Sequence, residues 1–230
     1  MSDTTPATTR MRAVWAKHAA TLVLTRRHRG KLEVLMGRRP RTMKFLPGTY
    51  VFPGGRVERD DARLVPQVPL PGVHVRRVGP RAQAFALAAI RETFEETGLV
   101  VGHPHTAPLA AAPALWRPFL ETGYAPALDR LHPVARAVTP ADVPIRFDTW
   151  FFAADTDAMP LHRVPISLVD AELEEIGWVT PTDASRLDIL EVTAGVLEQI
   201  VARERDPGNY LTAPIQYYRM RRGRFVVGPL

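Results

Sequence analysis

Cysteine is absent from the 230 residues, and that one absence excludes disulfides, thiolate zinc sites and a cysteine nucleophile together. It accords with a reducing, cytoplasmic setting. Serine is scarce and no G-x-S-x-G element occurs, so an activated serine has no place in the chemistry. No run of about 18 apolar residues exists, so neither a membrane-spanning helix nor a membrane partner is expected. The seven histidines form no HExxH pattern. His103 and His105 lie in the proline-broken GHPHTAP, where a metal pair is the weaker reading. The opening MSDTTPATTRMR lacks the apolar segment of a secretory signal, and residues 1–17 read as a flexible tail.

What is present is an apolar, basic chain. At 46% hydrophobic residues it can bury a substantial core, and its net charge of +6 with a pI near 10.1 favours anionic partners. The basic residues fall in short clusters, TRRHRGK, GRRPRTMK, VRRVGPR and YRMRRGR, without the interleaved aromatics of a strand-binding sheet. A small anionic molecule is therefore a better partner than nucleic acid.

HAATLVLTRR and KLEVLMGRR read as a β-hairpin around HRG, and TYVFPGG as a short strand ending in a Pro-Gly-Gly break. The stretch RVERDDARLVPQVPLPGVHVRRVGPR carries several prolines and no lasting period, which predicts an irregular insertion at about 62–82. AQAFALAAIRETFEETG then turns helical, with Leu87, Ile90 and Phe94 on one stripe and Gly98 at the stop. LVV restarts a strand, TAPLAAAPALWRPFLETG holds a proline-broken helix, and TPADVP marks a turn. RFDTWFFAAD is a strong strand, AELEEIGWV another, TPTDA a helix start, and LDILEVTAGVLEQIVARER the longest amphipathic helix. PIQYYRMRRGRFVVGPL alternates around a glycine and predicts a terminal hairpin within an extension at about 207–230. Elements in this order predict an α/β fold: one domain from 18 to 230, with a sheet covered by helices on both faces. The apolar terminal tail is also the surface on which a homodimer would form.

The arresting feature is RETFEETG. Glu92, Glu95 and Glu96 stand at i, i+3 and i+4, one ridge of a helix, where like charges cost a few tenths of a kcal/mol per pair. A hard divalent cation, Mg2+ or Mn2+, offsets that cost, because both take oxygen ligands from carboxylates together with substrate phosphates. Arg91 is placed to orient the carboxylates and hold them ionised. A solvated acidic surface is the plain alternative for such a ridge standing alone.

Its setting argues otherwise. RETFEETGL, with FPGG upstream, resembles the Nudix box, Gly-x5-Glu-x7-Arg-Glu-U-x-Glu-Glu-x-Gly-U with U bulky and aliphatic. Arg91, Glu92, Glu95, Glu96, Gly98 and Leu99 match, Gly55 matches the opening glycine, and Thr93 stands where an aliphatic residue is usual. The first half departs. Asp61 falls six residues after Gly55, where glutamate is expected, and 29 residues rather than seven separate it from Arg91. Were the insertion to precede the acid, Gln83 would occupy the position; Glu58 is a further substitute.

The split box, FLPGTYVFPGGRVERDD, VTPADVPIRFDTWFFAA and DAELEEIGWVTPTDA are together similar to the peroxisomal-type coenzyme A diphosphatases of the Nudix hydrolase superfamily, over roughly Ala19 to Ala184. That resemblance implies the Nudix fold, an α/β/α sandwich with a mixed sheet between helices, and hydrolysis of a nucleoside diphosphate-linked substrate, best matched by coenzyme A or acyl-coenzyme A. It also implies a Mg2+ or Mn2+ site at Glu92, Glu95 and Glu96. ADP-ribose, dinucleotides, capped RNA, or a nucleotide-sensing regulator without catalysis are the alternatives. Glu92, Glu95 and Arg91 are candidate catalytic residues. Glu172 ranks first as base within the acidic AELEE, ahead of Glu174 and Glu175. Arg38, Arg39, Arg41, Lys44, Gly54, Gly55 and Arg146 are the candidate substrate contacts.

Overall fold

The structure is a computed structural model that describes residues 15–230 except 106–111, 142, 160, 166–171, 207–209 and 222–223. Most of the expected N-terminal tail therefore lies outside the described residues.

The chain opens with a hairpin, β1 (Lys17–His28) and β2 (Lys31–Arg38). Arg29 and Gly30 both adopt positive φ, 51° and 76°. Two consecutive left-handed residues give the turn whose twist matches that of the flanking strands. Two short strands follow, β3 (Tyr50–Val51) and β4 (Gly54–Arg56), then helices α1 (Gly72–Val78) and α2 (Ala82–Thr97). Next come β5 (Leu99–Val100), β6 (Gly102–Pro104), a 3-10 turn at Ala114–Trp116, α3 (Arg117–Leu120) and β7 (Tyr124–Pro126). The remainder is β8 (His132–Val138), β9 (Phe147–Asp155), β10 (His162–Arg163), β11 (Glu174–Val179), α4 (Pro181–Ala184), α5 (Glu191–Glu204) and the hairpin β12 (Gln216–Arg221) and β13 (Arg224–Pro229).

The main sheet runs β11-β2-β1-β9-β8-β12-β13. It is mixed: β1 with β9 and β8 with β12 are parallel, the other neighbours antiparallel. The edge of β1 is shared. Thr25–His28 bond to β2, whereas Ala19–Thr21 bond to β4. Strand alternation sorts the core into two layers. Ala20, Leu22, Leu24, Trp150 and Phe152 pack toward α2, while Val23, Phe151 and Ala153 pack toward Val196, Leu197 and Ile200 of α5. Helices thus cover both faces, as the sequence pattern predicts. No helix among the described residues is long and apolar enough to cross a membrane.

Two readings need correction, and one strand was not read from the sequence at all. The proline-rich insertion contains the seven-residue helix α1, which buries His74, so its lack of period hid a packed element. HPVARAV forms β8, a central strand that its proline and arginine disguise. The longest helix is α2, with 16 residues against 14 in α5. Most of α2 is buried, because Trp116, Phe119 and Leu128 cover the side that the sheet leaves open. Each large apolar side chain so buried contributes about 1.5–3 kcal/mol. Thr93 fits its buried position by donating its hydroxyl back to Ala89 O at 2.7 Å. Gly98 ends the helix at φ 72°, its N–H donating to Phe94 O.

Candidate active site

The C-terminal turns of α2 end against β4, and two glycines allow the contact. A Cβ on Gly54 would lie 2.5 Å from Ala20 O, and one on Gly55 only 2.4 Å from the Glu92 carboxyl. Backbone leaves no room for a side chain at Gly54, and one at Gly55 would have to push the Glu92 carboxyl aside. With β4 bare, Gly54 N–H donates to Glu96 Oε2 at 2.9 Å.

Arg91 is the hub. It is 3% exposed, and each of its five N–H groups has an acceptor. Nε and Nη2 fork onto Asp61 at 2.9 and 3.0 Å, and Nη2 also reaches Arg56 O at 2.8 Å. Nη1 bridges Glu95 at 2.9 Å and Glu92 at 2.8 Å. Asp61, of the three acids or amides open at the altered position, is therefore the one that meets Arg91. Burial works to lower the Arg91 pKa, but the Asp61 hydrogen bonds and the three carboxylates outweigh it and the guanidinium stays charged.

The acids are all shifted upward. Burial pushes Glu92 up to about 7 against the opposing pull of Arg91, with Glu95 adding to the rise. Burial raises Glu95, and raises Glu96 far above the carboxylate range, with Glu92 and Glu172 adding repulsion. Glu96 Oε1 is buried and has no hydrogen-bond partner among the described residues. An orphaned buried oxygen beside two more carboxylates is a site short of positive charge. Among the described residues no three such groups already converge as a ready coordination shell. Arg91 holds Glu92 and Glu95, and Gly54 holds Glu96. Even so, hard oxygen donors, an unpartnered Oε1 and raised pKa values suit a hard divalent cation.

Of these acids Glu92 and Glu95 line a cleft of about 910 Å3. Glu58, Glu92, Glu95 and Glu172 line one end together with Arg39 and Arg56. The floor is the α5 face of the sheet, with Ala19 and Thr21 of β1, Thr149 and Phe151 of β9 and Ala137 of β8. Phe45, Leu46, Val143, Phe147, Leu190 and Val192 give the cleft an apolar wall, and the Phe45 and Phe147 rings meet edge to face at 5.4 Å. Leu46 holds a positive φ of 52°, a strained setting for a side chain with a Cβ.

The other sequence candidates divide. Arg39 lines the cleft, its Nε donating to Phe45 O at 3.0 Å. Arg38, its neighbour, points to the other side and pairs with Glu174 at 3.2 Å and Glu175 at 2.6 Å. Those two acids are thereby taken; Glu175 also accepts a hydrogen bond from Tyr50. Arg41 and Lys44 are exposed on the loop before β3 and do not line the cleft. Arg146 donates to Thr139 O at 3.1 Å, bracing the β8–β9 connection. His103 and His105 are engaged by Asp129 and Gln67, apart from the acids. Sequence reasoning missed Arg56, Trp116 and the apolar wall. Arg56 was within reach, being basic and two residues beyond Gly54; the others depend on distant segments.

A family model described as NUDIX domain matches residues 16–200. Nudix hydrolase 7 of Caenorhabditis elegans is 31% identical over 160 residues, 65% of this chain and 47% of its own length. This chain thus spans under half of that relative. The crystal structure of a NUDIX hydrolase from Alicyclobacillus acidocaldarius superposes with a TM-score of 0.67 at 29% identity, covering 86% of this chain and 96% of that one.

Proposed function

The chain belongs to the NUDIX family, and we propose that it is a cytoplasmic, divalent cation-dependent hydrolase of a diphosphate bond, with coenzyme A or an acyl-coenzyme A as substrate. The observation that carries this reading is the trio at the end of α2. Glu92 and Glu95 line one end of a cleft large enough for a nucleotide derivative, and the unpartnered Oε1 of Glu96 lies buried beside them on the same helix. Glu92, Glu95 and Glu96 would hold Mg2+ or Mn2+. When bound there, such a cation would supply charge neutralisation for the diphosphate and a more acidic water.

The chain's own residues supply the rest. In-line displacement at phosphorus demands positioning and charge neutralisation more than covalent help. Water adds to one phosphorus, its bridging P–O bond breaks, and the other phosphate leaves with the electron pair. Glu172, exposed at the same end of the cleft, takes the proton of the attacking water. Arg39 and Arg56 face the phosphates from the other elements lining that end.

The apolar wall of the cleft favours an acyl chain over a nucleobase beside it. Two of the polar groups beside it are already used: Thr139 Oγ1 accepts from Phe147 N–H at 3.0 Å, and Phe45 O accepts from Arg39. A base edge buried without partners costs about 1–3 kcal/mol per group, whereas an alkyl chain has nothing to leave unpaired.

Incubation of the purified protein with coenzyme A and Mg2+ releases 3′,5′-ADP and 4′-phosphopantetheine, read by mass analysis. Cleavage of ADP-ribose, a dinucleotide or capped RNA instead would remove the substrate assignment and keep the reaction class. Salt-sensitive nucleic-acid binding with no turnover of any diphosphate would make the protein a regulator.

A further inference from the structure

The geometry points to Trp116 as a positioning residue for the acidic trio, acting through Asp61 and Arg91. This rests on the reading of Glu92 and Glu95 as cation-holding groups. Trp116 is fully buried, and its indole Nε1–H donates to Asp61 Oδ1 at 3.1 Å. Asp61 is buried as well, and its two oxygens are saturated. Oδ1 accepts from Arg91 Nε and Trp116 Nε1, and Oδ2 from Arg91 Nη2 and, at 2.8 Å, from Glu58 N–H. Two bonds to each oxygen fill the acceptor sites of a carboxylate. With all five Arg91 donors also committed, the plane of its guanidinium follows the plane of Asp61. That plane in turn sets where Nη1 holds Glu92 and Glu95.

Trp116 can serve as anchor because its own place is fixed twice. Leu115 N–H donates to Asp60 Oδ2 at 3.2 Å, tying the 3-10 turn to the residue beside Asp61. The indole packs on Phe119 with ring centroids 5.5 Å apart, and Phe119 packs on Phe94 of α2 at 5.2 Å. The segment after β6 therefore contacts α2 through its rings and the arginine hub through one N–H. Aspartate is a methylene shorter than glutamate, and the indole occupies the space beside it.

Trp116→Phe keeps the ring and deletes the N–H. Calorimetric titration with Mn2+ in the absence of substrate should show binding about tenfold weaker than wild type, the lower end of what the loss of an outer-shell hydrogen bond to a metal site produces. Turnover should fall by a similar factor in kcat, with KM within about twofold, because phosphate contacts are untouched. Phe119→Leu loosens the same aromatic stack without touching Asp61. It should lower the thermal midpoint and leave Mn2+ affinity at the wild-type value. If Trp116→Phe binds Mn2+ as wild type does, or Phe119→Leu weakens it equally, the positioning role is wrong and only packing is involved. If wild type itself fails to bind Mn2+, the cation reading falls first and takes this role with it.

Discussion

Glu92→Gln should make the metal-free protein more stable at alkaline pH while removing its activity. The folded-state pKa of Glu92 is raised from 4.5 to about 7, chiefly by burial. For a raised acid the sign is the reverse of the usual carboxylate case: its contribution is fully present below pH 4.5 and is lost as pH climbs through 7. A rise of that size, at roughly 1.36 kcal/mol per pH unit, removes about 3 kcal/mol between pH 4.5 and 8. The side chain is only 13% exposed, so solvent screening takes away little of this. Glutamine retains a carbonyl oxygen for Arg91 Nη1 and never ionises. In EDTA, urea denaturation of both proteins from pH 4.5 to 8 should show the variant gaining on wild type throughout, ending ahead by up to about 3 kcal/mol. The difference between the two curves is the quantity to read, since other groups titrate in the same range. A variant less stable than wild type at pH 8, with a parallel pH dependence, would refute the argument that burial of this charge dominates.

Other outcomes follow from the same geometry. Gly55→Ala places a methyl 2.4 Å from the Glu92 carboxyl; displacing that carboxyl by about 1 Å should cost on the order of 100-fold in kcat, measured by steady-state turnover. His74, buried and hydrogen-bonded to His132 at 3.1 Å, has its pKa pushed down from 6.5 to about 4 by burial, with His132 contributing. A depressed histidine stabilises above pH 6.5 and loses that contribution as pH falls toward 4, about 3 kcal/mol in all. His74→Leu should start less stable at pH 7 and lose less on acidification, as followed by urea denaturation. Mg2+ at about 100 times its dissociation constant should add about 2.7 kcal/mol, seen as a thermal midpoint roughly 5–10 °C higher at this chain length, and Glu96→Gln should cut that shift to about half or less.

How much of this was legible depended on sequence distance. The acidic ridge and its glycine stop lie within one helix, so spacing alone brings Glu92, Glu95 and Glu96 together. The match of Asp61 to Arg91 could be narrowed to three residues but not chosen, because a 29-residue excursion hides which end of the insertion returns to the helix. Arg38 and Arg39 read alike in sequence. Adjacent residues at a strand end point to opposite sides, so only the register with β11 and β3 decides that Arg38 meets Glu174 and Glu175 while Arg39 enters the cleft. The apolar wall draws single residues from the loop before β3, the β8–β9 connection and the start of α5, and no local period announces such a surface. Both α1 and β8 failed to show for a related reason. Each is short and interrupted by polar or proline residues, and each owes its form to neighbours packed against it rather than to its own pattern.

The central claim is that the α2 carboxylates exist to hold a divalent cation against a diphosphate. Electron paramagnetic resonance titration of Mn2+ into wild type and Glu96→Gln tests it most directly, with each fold verified by circular dichroism. The account predicts that wild type depletes the free-ion signal at sub-millimolar Mn2+ and that Glu96→Gln, equally folded, does so at least tenfold more weakly. Equal Mn2+ uptake by the two proteins, or none by either, would contradict it.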